Sequence, residues 1–117
     1  MAKQLEAKIS EKCLKYLQEL KDRGVPIEWF HRSGSGGFAY KKGIPDMYIV
    51  LGPFHIECEM KTPYGHLSTM QVTWKNRFIR LGTPYLNPTT FEEFKTYLDS
   101  LIDYMSKFVT PLPSSSQ

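Results

Sequence analysis

The sequence predicts one α/β domain with a mixed, mainly antiparallel sheet flanked by helices. Three observations predict it: an amphipathic helical pattern near the start, two strand-like runs joined by Gly52-Pro53, and a later alternation of helix and strand patterns. A chain of 117 residues has room for one hydrophobic core and excludes two separate catalytic domains. Hydrophobic residues at 41% and charged residues at 23% are typical of a globular chain.

The first half of the chain predicts a helix followed by three strands. Apolar residues from Leu5 to Leu20 recur on one helical face, and Gly24-Val25-Pro26 ends the pattern, so we expect a helix over residues 3–23. The next alternating run predicts a strand over residues 27–32, which ends in a glycine-rich stretch. The two strands of the hairpin are expected at 46–51 and 54–61.

The second half predicts two more helices around a short strand. Ser68-Thr69-Met70-Gln71 fits a capping box that begins a helix over residues 69–81. A short strand is expected at 83–86, and the apolar residues from Phe91 to Phe108 predict a third helix after Pro88. We expect the domain to span residues 1–110, with a disordered tail at 111–117.

The positive charge is concentrated in the first three quarters of the chain. Residues 1–87 hold thirteen basic and eight acidic residues, a net charge of +5, whereas residues 88–117 hold two and four, a net charge of −2. The stretch from Lys61 to Arg80 has four basic residues and no acidic one. Such a field indicates a polyanionic partner such as nucleic acid, the alternative being a solvated face of mixed charge.

The apolar and cysteine patterns exclude other classes. The sequence contains no run of 18 apolar residues, so it predicts no membrane span. The first residues lack the apolar stretch and cleavage site of a signal peptide, so we expect a cytoplasmic protein. Cys13 and Cys58 are too few for a disulfide framework and lack zinc-site spacing, so we interpret both as buried small apolar side chains.

The hairpin carries the candidate site. Alternation along its second strand puts four polar side chains on one side, away from the core: His55, Glu57, Glu59 and Lys61. A symmetric loop centred on Gly52-Pro53 pairs residues whose numbers sum to 105, so that Asp46 lies opposite Glu59. Opposed like charges with Cβ atoms about 4.5–5.5 Å apart destabilise a sheet, and a hard cation such as Mg²⁺ would offset the repulsion. We therefore predict Asp46 and Glu59 as metal ligands.

Lys61 is predicted to assist the same site. It lies on the face of Glu59 two residues further along the strand, where its ammonium could orient water and stabilise charge on a phosphate. The alternative is that this face is the water-exposed side of an antiparallel sheet, where polar alternation is expected. A slip in register would also separate the two acids.

These residues resemble a known family. Gly43-Ile44-Pro45-Asp46, followed after twelve residues by Glu59-Met60-Lys61 and then by Gln71, resembles the PD-(D/E)XK nuclease superfamily. The G-x-P-D form with a following glutamine resembles the VRR-NUC family, whose stand-alone members from viruses and phages are about this long. The similarity extends from Glu6 to about Leu86, and the motifs are specific jointly rather than singly. It implies a PD-(D/E)XK nuclease core and, for a viral chain, the host cytoplasm.

The resemblance implies roles for individual residues. Asp46, Glu59 and the backbone carbonyl of Met60 would bind Mg²⁺ or Mn²⁺, and Lys61 would position the attacking water. Glu6, in a stretch that resembles the family's opening acidic motif, would approach a second metal; the alternative is a solvated acid on the helix surface.

Other residues of the pattern have two interpretations. Gln71 belongs to the site in the family, although the capping box explains it without chemistry. Arg32, Ser33 and the glycine-rich loop resemble the segment before G-x-P-D and could follow a phosphate backbone. Further phosphate contacts or solvated charges are Lys41, Lys42, Lys75, Arg77 and Arg80. Glu57 adds a third acid to the minimal pattern, and a second metal site with His55 is disfavoured because both lie nearer the turn.

The resemblance implies a metal-dependent, structure-specific DNA endonuclease. Because small dimeric members of the family cut branched DNA, four-way (Holliday) junctions are the expected substrate, and a homodimer is expected because one site cuts one strand. The alternatives are a nicking or restriction-type nuclease on linear duplex and a non-cleaving DNA-binding module. An apolar stripe on the third helix is interpreted as either its own core or the dimer surface: Phe91, Phe94, Tyr97, Leu98, Leu101 and Met105.

Overall fold

Three helices and one four-stranded sheet form the part of the chain that the structure describes. The computed structural model describes residues 2–32, 42–60 and 66–108, with side chains in the first helix from residue 7 onward. The elements in chain order are α1 (Ala2–Asp22), β1 (Ile27–His31), β2 (Met47–Leu51), β3 (Phe54–Cys58), α2 (Thr69–Leu81), β4 (Tyr85–Leu86) and α3 (Phe91–Phe108).

The sheet has the strand order β1-β2-β3-β4. β1, β2 and β3 are antiparallel to their neighbours, and β4 adds to β3 in the parallel direction after α2. The predicted α/β class with a mixed, mainly antiparallel sheet is therefore confirmed.

All four strands are shorter than predicted, and β1 ends at His31 rather than at residue 32. β2 begins at Met47, β3 ends at Cys58, and β4 contains only Tyr85 and Leu86. Pro84 precedes β4 and has no backbone N–H to donate, although its carbonyl accepts from Glu57 at 2.9 Å. The proline thus limits β4 at its start.

The core lies between one face of the sheet and the two helices α1 and α3. Buried side chains come from both helices and all four strands, among them Leu17, Ile49, Ile56, Leu86 and Phe94. Both cysteines are buried free thiols, which confirms their interpretation as small core side chains. Burial raises the pKa of the Cys13 thiol to about 12, so it stays protonated at neutral pH.

The apolar stripe of α3 belongs to this core. Phe94 and Leu98 are fully buried, and the other four residues of the stripe pack against the core cluster. The interpretation of the stripe as core is therefore confirmed for Phe94 and Leu98, and a dimer surface that includes its partly buried residues stays a prediction. The homodimer itself stays a prediction.

In contrast, α2 contributes no buried residue. Its contact with the sheet is at the β4 edge, where the ring of Phe78 stacks on Tyr85 with centroids 6.5 Å apart. Leu81, predicted on the same apolar face, is 75% exposed. The expected packing of α2 on the sheet thus occurs only at one edge.

None of the helices within residues 2–108 that the structure describes is long and apolar enough to cross a membrane.

Candidate metal and nucleic-acid site

The glycine of the G-x-P-D segment allows a close approach between this turn and α2. Gly43 has a positive φ of 84°, and a Cβ built on it would lie 2.5 Å from the backbone carbon of Met70 and 2.8 Å from the amide nitrogen of Gln71. Trp74 joins the same two segments, since its indole N–H donates to the carbonyl of Lys42 at 3.0 Å. The start of α2 therefore lies directly against the segment that leads into Asp46.

The register of the hairpin agrees with the prediction. Met47 pairs with Cys58 and Leu51 with Phe54, which is the predicted sum of 105, and Gly52 takes a φ of 55° in the turn. The next positions along this register are Asp46 and Glu59, which lie on the face away from the core.

Neighbouring strands hold the main chains of both acids. The Arg32 amide donates to the carbonyl of Asp46 at 2.8 Å. The Glu59 amide donates to the carbonyl of Leu86 at 2.9 Å, and Asn87 donates its side-chain amide to the carbonyl of Glu59 at 2.7 Å. Asp46 is exposed and Glu59 is buried, so the pair lies at the rim of the sheet with one side open to solvent.

The electrostatics show that the carboxylates concentrate negative charge here. Burial raises the pKa of the Cys58 thiol well above its usual value, and the charges of Asp46, Glu59 and Glu57 raise it further. Tyr85 responds in the same way, because burial first and the same carboxylates next raise the pKa of its hydroxyl. A cation bound at this end of the sheet would relieve that field.

The donor atoms fit a small hard cation. Asp46 and Glu59 supply carboxylate oxygens, and the carbonyl of Met60 follows Glu59 in the chain. Mg²⁺ is typically held by one or two carboxylates together with waters and substrate phosphate oxygens. Among the described residues no group of three or more Asp, Glu, His or Cys side chains could hold a metal ion.

Several predicted site residues lie outside the described part of the structure. Lys61, Ser33 and Lys41 fall in residues that are not described, and so does the side chain of Glu6, whose main chain belongs to α1. Their predicted roles stay predictions.

Gln71 makes the capping box that its sequence predicts. Its side-chain oxygen accepts a hydrogen bond from the backbone N–H of Ser68 at 2.7 Å, and the backbone N–H of Gln71 donates to the Ser68 hydroxyl at 3.2 Å. The cap fixes the start of α2 against the Gly43 turn, so Gln71 has a structural role beside the site whether or not it takes part in chemistry.

Sequence reasoning missed the partner of Glu57. The carboxylate of this residue receives two hydrogen bonds from the Arg32 guanidinium, at 2.6 and 2.9 Å, and lies 2.5 Å from Nε2 of His55. Burial by itself would raise the pKa of Glu57, but the bonds from Arg32 and His55 outweigh it and hold the pKa below its ordinary value. Both carboxylate oxygens are thus engaged, which leaves no support for a metal site made by His55 and Glu57.

A row of rings lies beside this ion pair on the same face. Phe30 stacks on Tyr48 with centroids 5.0 Å apart, and Tyr48 stacks on His55 at 4.8 Å. The Arg32 guanidinium lies 4.8 Å from the centre of the Tyr48 ring. The three rings and the Arg32 guanidinium therefore pack beside β1, β2 and β3, away from the β4 edge that α2 contacts.

The structure describes four of the basic side chains that were predicted as phosphate contacts or solvated charges: Lys42, Lys75, Arg77 and Arg80. Arg77 lies over the ring of Trp74 at 4.8 Å, and Trp74 is bonded to the carbonyl of Lys42. Within the described ranges none of these four side chains forms an ion pair. They remain available for an anionic partner.

The fold and the opposed carboxylates define an α/β domain with a candidate cation site at the rim of its sheet. The structure is similar to a solved structure described as a VRR_NUC domain, with a TM-score of 0.62 and 18% sequence identity, covering 86% of this chain and 96% of that one. No protein-family model matches the sequence, and no curated protein matches it either. At this identity the similarity shows the fold, and it confirms at that level the VRR-NUC resemblance predicted from the motifs.

Proposed function

We propose that this protein is a metal-dependent, structure-specific DNA endonuclease that hydrolyses phosphodiester bonds in branched DNA such as four-way junctions. The observation that supports the proposal is the hairpin register, which pairs Met47 with Cys58 and has Asp46 and Glu59 as its next positions, in a domain with the fold of a VRR_NUC domain. The described cations on and beside α2 supply the positive surface that a DNA backbone needs.

The chain's own residues have distinct tasks in the proposed reaction. Asp46, Glu59 and the carbonyl of Met60 hold Mg²⁺ or Mn²⁺, which when bound supplies Lewis acidity toward the phosphoryl group and the attacking water. Lys61 orients that water and stabilises the negative charge that grows on the phosphate. Glu6 and Gln71 approach the same site from the two helices.

Binding of DNA rests on contacts to phosphates. Lys42 and Lys75 lie on the two segments that the Trp74 hydrogen bond joins, so one backbone strand can contact both. The guanidinium of Arg32, in contrast, is bound by Glu57. We expect binding to weaken steeply with salt, because each phosphate that is neutralised releases counterions.

A homodimer supplies the second active site. A single site cuts one strand, so symmetric cleavage of a junction needs two copies related by a twofold axis.

The test compares three labelled DNAs of related sequence: a four-way junction, a flap and a linear duplex. Each is incubated with Mg²⁺ or Mn²⁺ and, separately, with EDTA. We expect divalent-dependent cleavage that is fastest on the junction and is lost in Asp46→Ala and Lys61→Ala. Glu28→Gln is the matched control, since Glu28 is an acid on neighbouring β1 whose exposed carboxylate pairs with Lys21.

The outcomes separate the alternatives. DNA binding without cleavage at any divalent concentration would indicate a non-cleaving binding module. Equal or faster cleavage of linear duplex would indicate a nicking or restriction-type nuclease. Variants of Asp46 or Lys61 that cut as well as the parent would contradict the proposed site.

A further inference from the structure

We propose that Arg32 and Glu57 are positioning residues whose internal ion pair holds Asp46 in place for metal binding. This inference rests on the proposed function, because it concerns the ligand geometry of the same site. It gives Arg32 a task different from the DNA contact that the sequence pattern implied.

Arg32 holds the main chain on both sides of Asp46. Its backbone N–H donates to the carbonyl of Asp46 at 2.8 Å, and Nη1 of its guanidinium donates to the carbonyl of Pro45 at 2.9 Å. One residue therefore binds two consecutive carbonyls of the segment that carries the ligand. Asp46 lies one position beyond the last ladder pair, His31 with Met47, so the backbone bond from Arg32 continues the β1–β2 register by one residue. The guanidinium bond to Pro45 adds a second contact that regular strand pairing does not supply.

Glu57 holds the guanidinium in turn. Nη1 and Nη2 of Arg32 donate to the two carboxylate oxygens at 2.6 and 2.9 Å, a bidentate arrangement that fixes the plane of the guanidinium as well as its position. The side chains of both partners are largely removed from solvent, at 15% and 3% exposure. The Tyr48 ring packs against the guanidinium and leaves it little room to turn.

The pair also connects the two predicted ligands. Glu57 lies on β3 two residues before Glu59 and on the same face, and its amide is bonded to the carbonyl of Pro84. A continuous path of hydrogen bonds therefore runs from the strand of Glu59, through Glu57 and Arg32, to the peptides of Asp46. A shift of Arg32 would change the separation of the two carboxylates.

Stability alone is a weak reason for such a pair. A buried ion pair often contributes no more to stability than apolar side chains of the same volume, because desolvation offsets the attraction. Groups that orient metal ligands, in contrast, typically change metal affinity or activity about 10–100-fold when they are removed. Arg32 also occupies both oxygens of Glu57, which keeps a third carboxylate from competing as a ligand.

The test measures Mn²⁺ affinity directly, by calorimetric titration of the metal-free protein without DNA. The variants are Arg32→Gln, Glu57→Gln, the double variant, and Arg32→Lys, which keeps the charge but loses the bidentate fork. Glu28→Gln and Arg23→Gln are the controls, because each removes one partner of an exposed ion pair. Circular dichroism confirms that each variant is folded at the titration temperature.

We expect the dissociation constant for Mn²⁺ to rise about 10–100-fold in each single variant. The double variant should bind no more weakly than the weaker single one, because both substitutions break one path. Both controls should match the wild type. Should Arg32→Gln fail to fold, Arg32→Lys carries the test, since it alters the geometry and not the charge.

Failure of the inference differs from failure of the proposed function. Wild-type Mn²⁺ affinity in the Arg32 and Glu57 variants, with Asp46→Asn abolishing binding, overturns the inference and leaves the nuclease proposal standing. Normal Mn²⁺ affinity with weaker DNA binding and a smaller salt slope makes Arg32 a DNA contact and also overturns it. Absence of Mn²⁺ binding by the wild type overturns both.

Discussion

The two faces of the sheet differ in composition: one forms the hydrophobic core and the other carries the candidate site. One face is apolar, lies under α1 and α3, and contains the buried side chains of β2 and β3 that form the core. The other face has Arg32, Asp46, Glu57 and Glu59, a row of stacked rings, and α2 at one edge only. Because strand side chains alternate, Ile56 and Glu57 are neighbours in the chain and belong to different faces. Stability and chemistry thus depend on different residues of the same strands.

The second face is less open to water than alternation alone suggests. Glu57 and Glu59 are exposed by only 2% and 6%, so a simple water-facing sheet does not describe them. Buried carboxylates need compensation, because desolvation penalises their charged form. Glu57 receives it from Arg32, and the charges of Asp46, Glu59 and Glu57 together raise the pKa of the neighbouring buried thiol of Cys58.

The largest effect on the polar face should come from Asp46→Asn. Removing this carboxylate takes a ligand from the proposed cation site, and the loss of Lewis-acid stabilisation should slow cleavage about 10³-fold or more. The free energy of unfolding should change by less than about 0.5 kcal/mol, because the side chain is exposed. Single-turnover cleavage and urea unfolding measure the two quantities, and a large loss of stability would show that the faces are not independent.

The largest effect on the apolar face should come from Phe94→Ala. This side chain is fully buried between α3 and the sheet, and its truncation should lower the free energy of unfolding by about 3–5 kcal/mol. Phe108→Ala is the control at the end of the same helix, where the ring is 69% exposed, and should cost less than about 1 kcal/mol. Cleavage per folded molecule should be unchanged in both, and a selective loss in Phe94→Ala would link the core to the site.

Gly43→Ala should combine both kinds of effect. The substitution puts a Cβ into the start of α2 and requires a positive φ, so we expect a loss of about 2–4 kcal/mol together with slower cleavage. Gly24→Ala is a matched control, because its φ is 93° and no atom lies within 4 Å of the added Cβ. It should cost about 1–2 kcal/mol and leave cleavage unchanged. Equal effects of the two changes on cleavage would show that the contact between the Gly43 turn and α2 does not support the site.

The smallest effect concerns the outer side of the helical layer. Burial alone would raise the pKa of Asp99, but hydrogen bonds from Lys95 and Tyr16 outweigh it and hold the pKa below the ordinary 3.8. The folded state therefore gains stability above that value, and the gain is lost as the pH falls through the lowered folded pKa. Because Asp99 is 41% exposed, we expect less than about 1 kcal/mol. Asp99→Asn should show a shallower acid loss between about pH 4 and pH 2 in urea titrations, and identical profiles would contradict the assignment.

Local sequence signals predicted the elements that depend on neighbouring residues. The alternation of β3 and the Gly52-Pro53 turn are enough to predict the register of β2 against β3, from Leu51 with Phe54 to Met47 with Cys58, because a short hairpin loop leaves few ways to pair its strands. The capping box of Ser68 and Gln71 gave the start of α2 correctly for the same reason, since all its bonds lie within four residues. The metal-ligand prediction for Asp46 and Glu59 thus came from a local pattern.

What depends on distant residues appeared only in the tertiary structure. No local sequence pattern predicts the register of β1 against β2, because many residues separate the two strands in the chain and many pairings are possible. The contact of Arg32 with Glu57 could therefore not be predicted. The burial of the α3 stripe and the parallel addition of β4 likewise depend on packing between elements far apart in the chain. The sequence by itself determined the strand faces and the register of the hairpin, because alternation and a tight turn act over a few residues. The tertiary structure decided which charge compensates Glu57 and which apolar faces are covered, because those contacts form only when the whole sheet assembles.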